Sequence, residues 1–128
     1  MTLTHPETEQ LTECVIGLAI EVHRTLGPGL LESNYEECLC IELADAGIQH
    51  ARQPMVPVVY KGRKLETCFR ADIIGDAAVI LEVKSVEKIL DLHRAQVLTY
   101  LRHADIKVGL IFNFNTKRLI DGIVRVSR

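Results

Sequence analysis

The stretch Ala77-Ala78-Val79-Ile80-Leu81-Glu82-Val83-Lys84 decides the fold. It is apolar from residue 77 to 81 and again at 83, so it reads as a strand covered on both faces, in the middle of a sheet. Glu82 and Lys84 are two apart, so their side chains share one face with Ala78 and Ile80. Burying such charges without partners costs on the order of several kcal/mol per ion. A strand this apolar does not need them to fold. They are either a solvated strand end carrying an ordinary ion pair or the start of a chemical site.

Upstream, Phe69-Arg70-Ala71-Asp72-Ile73-Ile74 forms the preceding strand, read over residues 65–74, with Gly75-Asp76 as the turn. A hairpin brings Asp72 beside Glu82, and two neighbouring carboxylates can hold a hard divalent cation. Parity sets a condition. Opposed residues across a hairpin have numbers with a constant sum, and a plain two-residue loop at 75–76 makes that sum odd. Asp72 and Glu82 would then lie on opposite faces. A shared metal requires a three-residue loop, such as 75–77, or a bulge.

Working outward, residues 9–26 read as a helix, with Leu11, Val15, Leu18 and Val22 at spacings of four and three; Gly27-Pro28-Gly29 stops it. A second helix spans 31–46, with Leu31, Tyr35, Leu39 and Leu43 on its apolar face. Residues 55–60 form a strand before the Lys61-Gly62 turn. Residues 91–104 form a third helix, with Leu98 and Leu101 inward and a polar stripe of His93, Gln96, Tyr100 and His103. Strands follow at 108–114 and 119–126. The order α-α-β-β-β-α-β-β predicts an α/β (α+β) fold with a mixed sheet flanked by helices. A right-handed crossover makes the Glu82 strand parallel to the strand at 108.

A length of 128 residues predicts a single domain, 1–128, and 48% hydrophobic residues supply its core. The net charge of -2 is not the footprint of a protein held to nucleic acid by bulk charge, so such contact needs a local basic face or a partner. There is no apolar run of membrane-spanning length, and the polar start, Met1 to Gln10, lacks a signal-peptide core. A cytoplasmic location, with no membrane partner, is expected. Cys14, Cys38, Cys40 and Cys68 make no CxxC pair and are expected to be buried reduced thiols, with zinc or an iron-sulfur cluster as the alternative.

Asp72, nine intervening residues and Glu82-x-Lys84 resemble the Asp-x(n)-Glu-x-Lys signature of the PD-(D/E)XK nuclease superfamily. Gly29-Leu30-Leu31-Glu32-Ser33-Asn34-Tyr35 matches the GxxExxY motif of one group within it. The flanking residues 21–29 and the helix segment Ala95-Gln96-Val97-Leu98-Thr99-Tyr100-Leu101 also resemble that group. The likeness runs from about residue 16 to 115. It implies a restriction-endonuclease-like α-β-β-β-α-β core, to which the first helix and last strand are additions.

The resemblance also implies metal-dependent hydrolysis of a phosphodiester. Asp72 and Glu82, with the Val83 carbonyl, would bind Mg²⁺ or Mn²⁺, and Glu32 would be a further metal ligand. The other reading of Glu32 is a favourable acid in a helix's first turn. Lys84 would position the water or neutralise the transition state, and Gln96 would orient Lys84 or the nucleophile. Tyr100 would line the groove, whereas Tyr35 is read as packing. Arg70, Lys88, Arg94 and Arg102 are the candidate cations around it, with DNA the default substrate. A homodimer would bring two sites to two strands. His23, His93 and His103 are read as structural. The rival readings are a binding module with a vestigial site, a subunit active only inside an assembly, and an enzyme acting on another phosphoester.

Overall fold

The structure, a computed structural model, describes residues 5–128; of the polar start, residues 1–4 lie outside the described residues. Helix α1 spans Pro6–Leu26 and begins earlier than the apolar pattern predicts. Pro6 suits the first helical turn, where its missing N–H has no partner to lose, and Glu7 and Glu9 complement the positive end of the helix dipole. Helix α2 spans Glu32–Asp45. Leu31, expected on its inner face, instead caps the helix and is 73% exposed, because the chain is still extended there.

Val15, Ala19 and Val22 of α1 and Tyr35, Leu39 and Leu43 of α2 form one buried cluster with Leu81, Val83 and Phe112 of the sheet and Phe114 just past a strand end. Tyr35 stacks on Phe114 at 4.4 Å. Its hydroxyl donates to the Gly27 carbonyl at 2.6 Å and accepts from Leu30 N–H at 3.1 Å. The ring packs as expected, and its polar end also fixes the loop between the two helices.

The strands are β1 (His50–Arg52), β2 (Met55–Tyr60), β3 (Arg63–Arg70), β4 (Ile73–Gly75), β5 (Val79–Lys84), β6 (Val108–Asn113) and β7 (Ile123–Ser127). Five form the main sheet in the order β1-β4-β5-β6-β7, and β2-β3 is a separate hairpin. β5 and β6 are parallel, joined through helix α3 (Asp91–Ala104); all other pairs are antiparallel. This is the expected mixed sheet, with β5 in its centre.

Two expectations change. The strand read over 65–74 divides at Ala71-Asp72: β3 belongs to the hairpin and β4 to the sheet. The Asp72 backbone N–H turns to the Glu82 carboxylate, which interrupts the strand there. β1 was not foreseen, being three residues of unremarkable composition. The strand read over 119–126 begins as a 3-10 turn, Leu119–Gly122, and only then becomes β7.

On the opposite face α3 covers the sheet with Val97 and Leu101 rather than Leu98 and Leu101. It comes very close over Gly109 of β6, where a Cβ would lie 2.6 Å from a Val97 methyl. All four cysteines are free thiols, but Cys14 and Cys68 are exposed rather than buried. Cys14 lies on the solvent side of α1 and Cys68 on the open hairpin. Among the described residues no helix is long and apolar enough to cross a membrane.

Candidate active site

The β4–β5 hairpin pairs Ile73 with Leu81, Ile74 with Ile80 and Gly75 with Val79, leaving Asp76, Ala77 and Ala78 as a three-residue loop. The constant sum is even, as a shared metal requires, with the loop one residue further along than 75–77. Asp76 and Ala77 take positive φ, both 51°, and Ala78 N–H closes the turn on the Gly75 carbonyl. Extending the register places Asp72 opposite Glu82. The two are joined directly: Asp72 N–H donates to Glu82 Oε1 at 3.2 Å, and Val83 N–H donates to Asp72 Oδ2 at 2.8 Å.

Glu82 is 3% exposed. Burial first, and then the charge of Asp72, push its carboxyl up to about 8, with the Lys84 ammonium pulling weakly the other way. Lys84 closes β5, partly buried, beside Asn113 of β6. The Val83 N–H reaches Asp72, and in a strand a residue's N–H and C=O point to the same edge, so the Val83 carbonyl also faces that side.

Glu36 was missed in the sequence. It is 5% exposed, one turn beyond Glu32 on α2, and burial followed by the charge of Asp72 raises its carboxyl above the ordinary range. Gln53 Nε2 donates to its Oε2 at 3.3 Å and Arg52 stands 3.7 Å away, while Oε1 is buried with no hydrogen-bond partner. The available signal was its position: Glu36 directly follows Tyr35 and stands three residues before Leu39, on the apolar side of the helix.

Glu32 has a different placement. It is exposed, and its Oε2 accepts from Ser85 N–H at 2.8 Å, while Ser85 Oγ donates to the Leu30 carbonyl at 3.2 Å. The buried Asn113 holds the next residue, Val86, through both backbone groups, at 3.1 and 2.9 Å. The loop leaving Lys84 is thus clipped from two sides.

On α3, Tyr100 stacks on Phe69 at 4.1 Å. Burial and then the charges of Glu82 and Asp72 push its hydroxyl up, which places the phenol within electrostatic reach of the carboxylates. Gln96 is exposed, one turn earlier on the same flank. His93 Nδ1 accepts from Leu90 N–H and caps the helix; His103 Nδ1 accepts from Val59 N–H and holds the hairpin. His23 Nε2 bonds the Thr116 carbonyl at 2.8 Å. Arg70 donates to Gln53 Oε1 at 3.3 Å, so a chain of side chains runs from Arg70 through Gln53 to Glu36. Lys88, Arg94 and Arg102 are exposed. At about 100° per residue, Arg94 lies roughly 120° and Arg102 roughly 160° round the helix from Tyr100.

A hard cation suits these residues. Two buried carboxylates are raised in pKa although Arg52 stands near one and Lys84 near the other, and one of them keeps an orphaned oxygen, so an added cation would offset their desolvation. The donor set is all oxygen, as a small divalent ion requires. Among the described residues, no three His, Cys, Asp or Glu side chains already stand close enough to form a complete cage.

A mixed sheet between helices, with paired carboxylates and a lysine at the end of its central strand, defines a nuclease-type α+β protein with a restriction-endonuclease-like fold. The chain matches the family model of the PD-(D/E)XK nuclease superfamily over residues 9–126 and belongs to that superfamily. Nucleases of this superfamily generally use divalent metals. No curated protein and no solved structure matches the chain.

Proposed function

We propose that this protein is a metal-dependent nuclease, with DNA as its substrate, in the GxxExxY group. The observation that carries this is the buried, backbone-linked pair Asp72–Glu82 beside Lys84. Asp72, Glu82 and the Val83 carbonyl would hold Mg²⁺ or Mn²⁺, with Glu36 supplying the acid of helix α2. When bound, the ion supplies Lewis-acid polarisation of the phosphoryl group and a more acidic water. Lys84, at the strand end, neutralises charge developing on the phosphate. Gln96 orients the nucleophile or Lys84 from α3, and Tyr100 lines the groove. Arg70 contacts the substrate backbone, whereas Arg94, expected there too from the sequence, lies about 120° round α3 from Tyr100 and off the groove; a homodimer would serve both strands. Glu32, the motif glutamate, serves here through its bond to Ser85, fixing the strand end that carries Lys84.

Incubating the protein with labelled single- and double-stranded DNA, with Mg²⁺, Mn²⁺ or EDTA, tests this. Cleavage that needs the metal and is lost in Glu82→Gln is expected. A second reading, a nuclease-fold binding or assembly subunit without activity, is favoured by the incomplete acidic cage. DNA binding without cleavage under any metal would establish it instead.

A further inference from the structure

The hairpin β2–β3 is an excursion from the main sheet. Its neighbours in sequence, β1 and β4, pair with each other, and the hairpin leaves and returns between them. Its base is closed by Gln53 N–H to the Asp72 carbonyl at 2.6 Å and Ala71 N–H to the Pro54 carbonyl at 3.3 Å. It rests on α3 through the Phe69–Tyr100 stack and the Val59–His103 bond. β3 is otherwise open to solvent along almost its whole length.

The charge of this segment is unlike the rest of the chain. Residues 55–70 hold four of the fifteen Lys and Arg (Lys61, Arg63, Lys64 and Arg70) and one of the seventeen acids, Glu66. The segment is therefore +3 and the remainder -5, in a chain of net -2. The concentration is highest at the tip, Lys61-Gly62-Arg63-Lys64, where none of the three cations has an acidic partner among the described residues. Tyr60, 60% exposed, pairs directly across from Arg63, and Lys61 Nζ stands 5.4 Å over the Tyr60 ring.

The turn itself carries a second signal. Lys61 and Gly62 both have positive φ, 49° and 78°, a two-residue turn whose first position favours Asn, Asp or Gly. A lysine there sacrifices turn preference for charge.

We infer that the β2–β3 hairpin is a nucleic-acid arm, whose tip residues Lys61, Arg63 and Lys64 hold the phosphate backbone while Tyr60 offers an aromatic face. The inference rests on the nuclease reading for the role of the arm but not for its binding. Seven residue steps separate Arg63 from Arg70, so the arm is about 20 Å long from base to tip, the span of about six phosphates of one strand. It gives an acidic protein the local basic surface its composition otherwise withholds, while Arg94 and Arg102 occupy the other flank of α3.

The test is binding of a fluorescein-labelled DNA duplex, followed by anisotropy in EDTA over a range of salt concentrations. The proteins are the wild type, K61Q/R63Q/K64Q, R63Q alone, and Lys107→Gln as a charge control outside the hairpin. The triple variant is expected to lower the slope of log affinity against log salt by about 2 to 3, and R63Q and Lys107→Gln by about 1 and about 0. Wild-type slope and affinity in the triple variant would overturn the arm. So would wild-type binding to phosphatidylserine vesicles but not to the duplex. Arm-dependent binding without metal-dependent cleavage would sink the nuclease reading and leave the arm standing; cleavage by a triple variant with unchanged binding would do the reverse.

Discussion

Asp72 and Glu82 are held together through the backbone: each carboxylate accepts an N–H from the other's strand, Asp72 N–H to Glu82 at 3.2 Å and Val83 N–H to Asp72 at 2.8 Å. The pair is therefore placed by the sheet before any ion arrives, and its mutual repulsion is stored in the fold.

That repulsion gives a pH dependence. The Glu82 carboxyl is raised to about 8 by burial and by Asp72, against an ordinary 4.5 in the unfolded chain. A carboxyl raised on folding favours the fold most below the unfolded value, and the advantage is lost as pH climbs through 8. The metal-free protein is expected to lose thermal stability between about pH 5 and 9 from this group, and Glu82→Gln to flatten that decline. At pH 9 the variant should melt about 4 °C or more above the wild type in EDTA. Melting curves across pH check this.

The two helix glutamates separate cleanly. Glu36→Gln should weaken Mn²⁺ binding by about tenfold or more, as removal of a supporting carboxylate does. Glu32→Gln should leave it unchanged, since an amide oxygen still accepts Ser85 N–H, whereas Glu32→Ala should cut cleavage while sparing metal affinity. Calorimetry with Mn²⁺ decides between them.

Tyr35→Phe removes one hydroxyl that serves two backbone groups, the Gly27 carbonyl and Leu30 N–H. A loss of about 1–3 kcal/mol in urea unfolding is expected, with Mn²⁺ affinity retained.

Gly109→Ala inserts a methyl where a Cβ would stand 2.6 Å from Val97 and 3.5 Å from the Ile80 carbonyl. Overpacking of this kind costs about 1–3 kcal/mol, measurable by the same unfolding curves.

The centre of the fold was legible because its signals are local. An apolar run with two charges at its end reads as β5, and its crossover through α3 to β6 follows from chain order. A shared site for Asp72 and Glu82 requires an even register, by a three-residue loop such as 75–77 or by a bulge; the loop is three residues, 76–78. The excursion of β2–β3 was not legible, because a strand that leaves one sheet for another at Ala71-Asp72 has no compositional mark. Glu32 and Glu36 are four residues apart and share a helix face, so composition does not separate them: Glu32 opens α2 and accepts Ser85 N–H, while Glu36, one turn further in, is buried beside Gln53 and Arg52. His93 and His103 each accept a backbone N–H at Nδ1, from Leu90 and Val59, contacts that their spacing on the helix does not reveal.

Should the Asp72–Glu82 pair bind a divalent ion used for phosphodiester cleavage, ion binding and cleavage must fail together. The decisive measurement is a calorimetric titration of the wild type, Asp72→Ala and Glu82→Gln with Mn²⁺, with the same samples assayed on labelled DNA. One binding event is expected in the wild type, lost in both variants together with cleavage. A folded wild-type protein that binds no Mn²⁺, or cleavage that survives in Glu82→Gln, would contradict it.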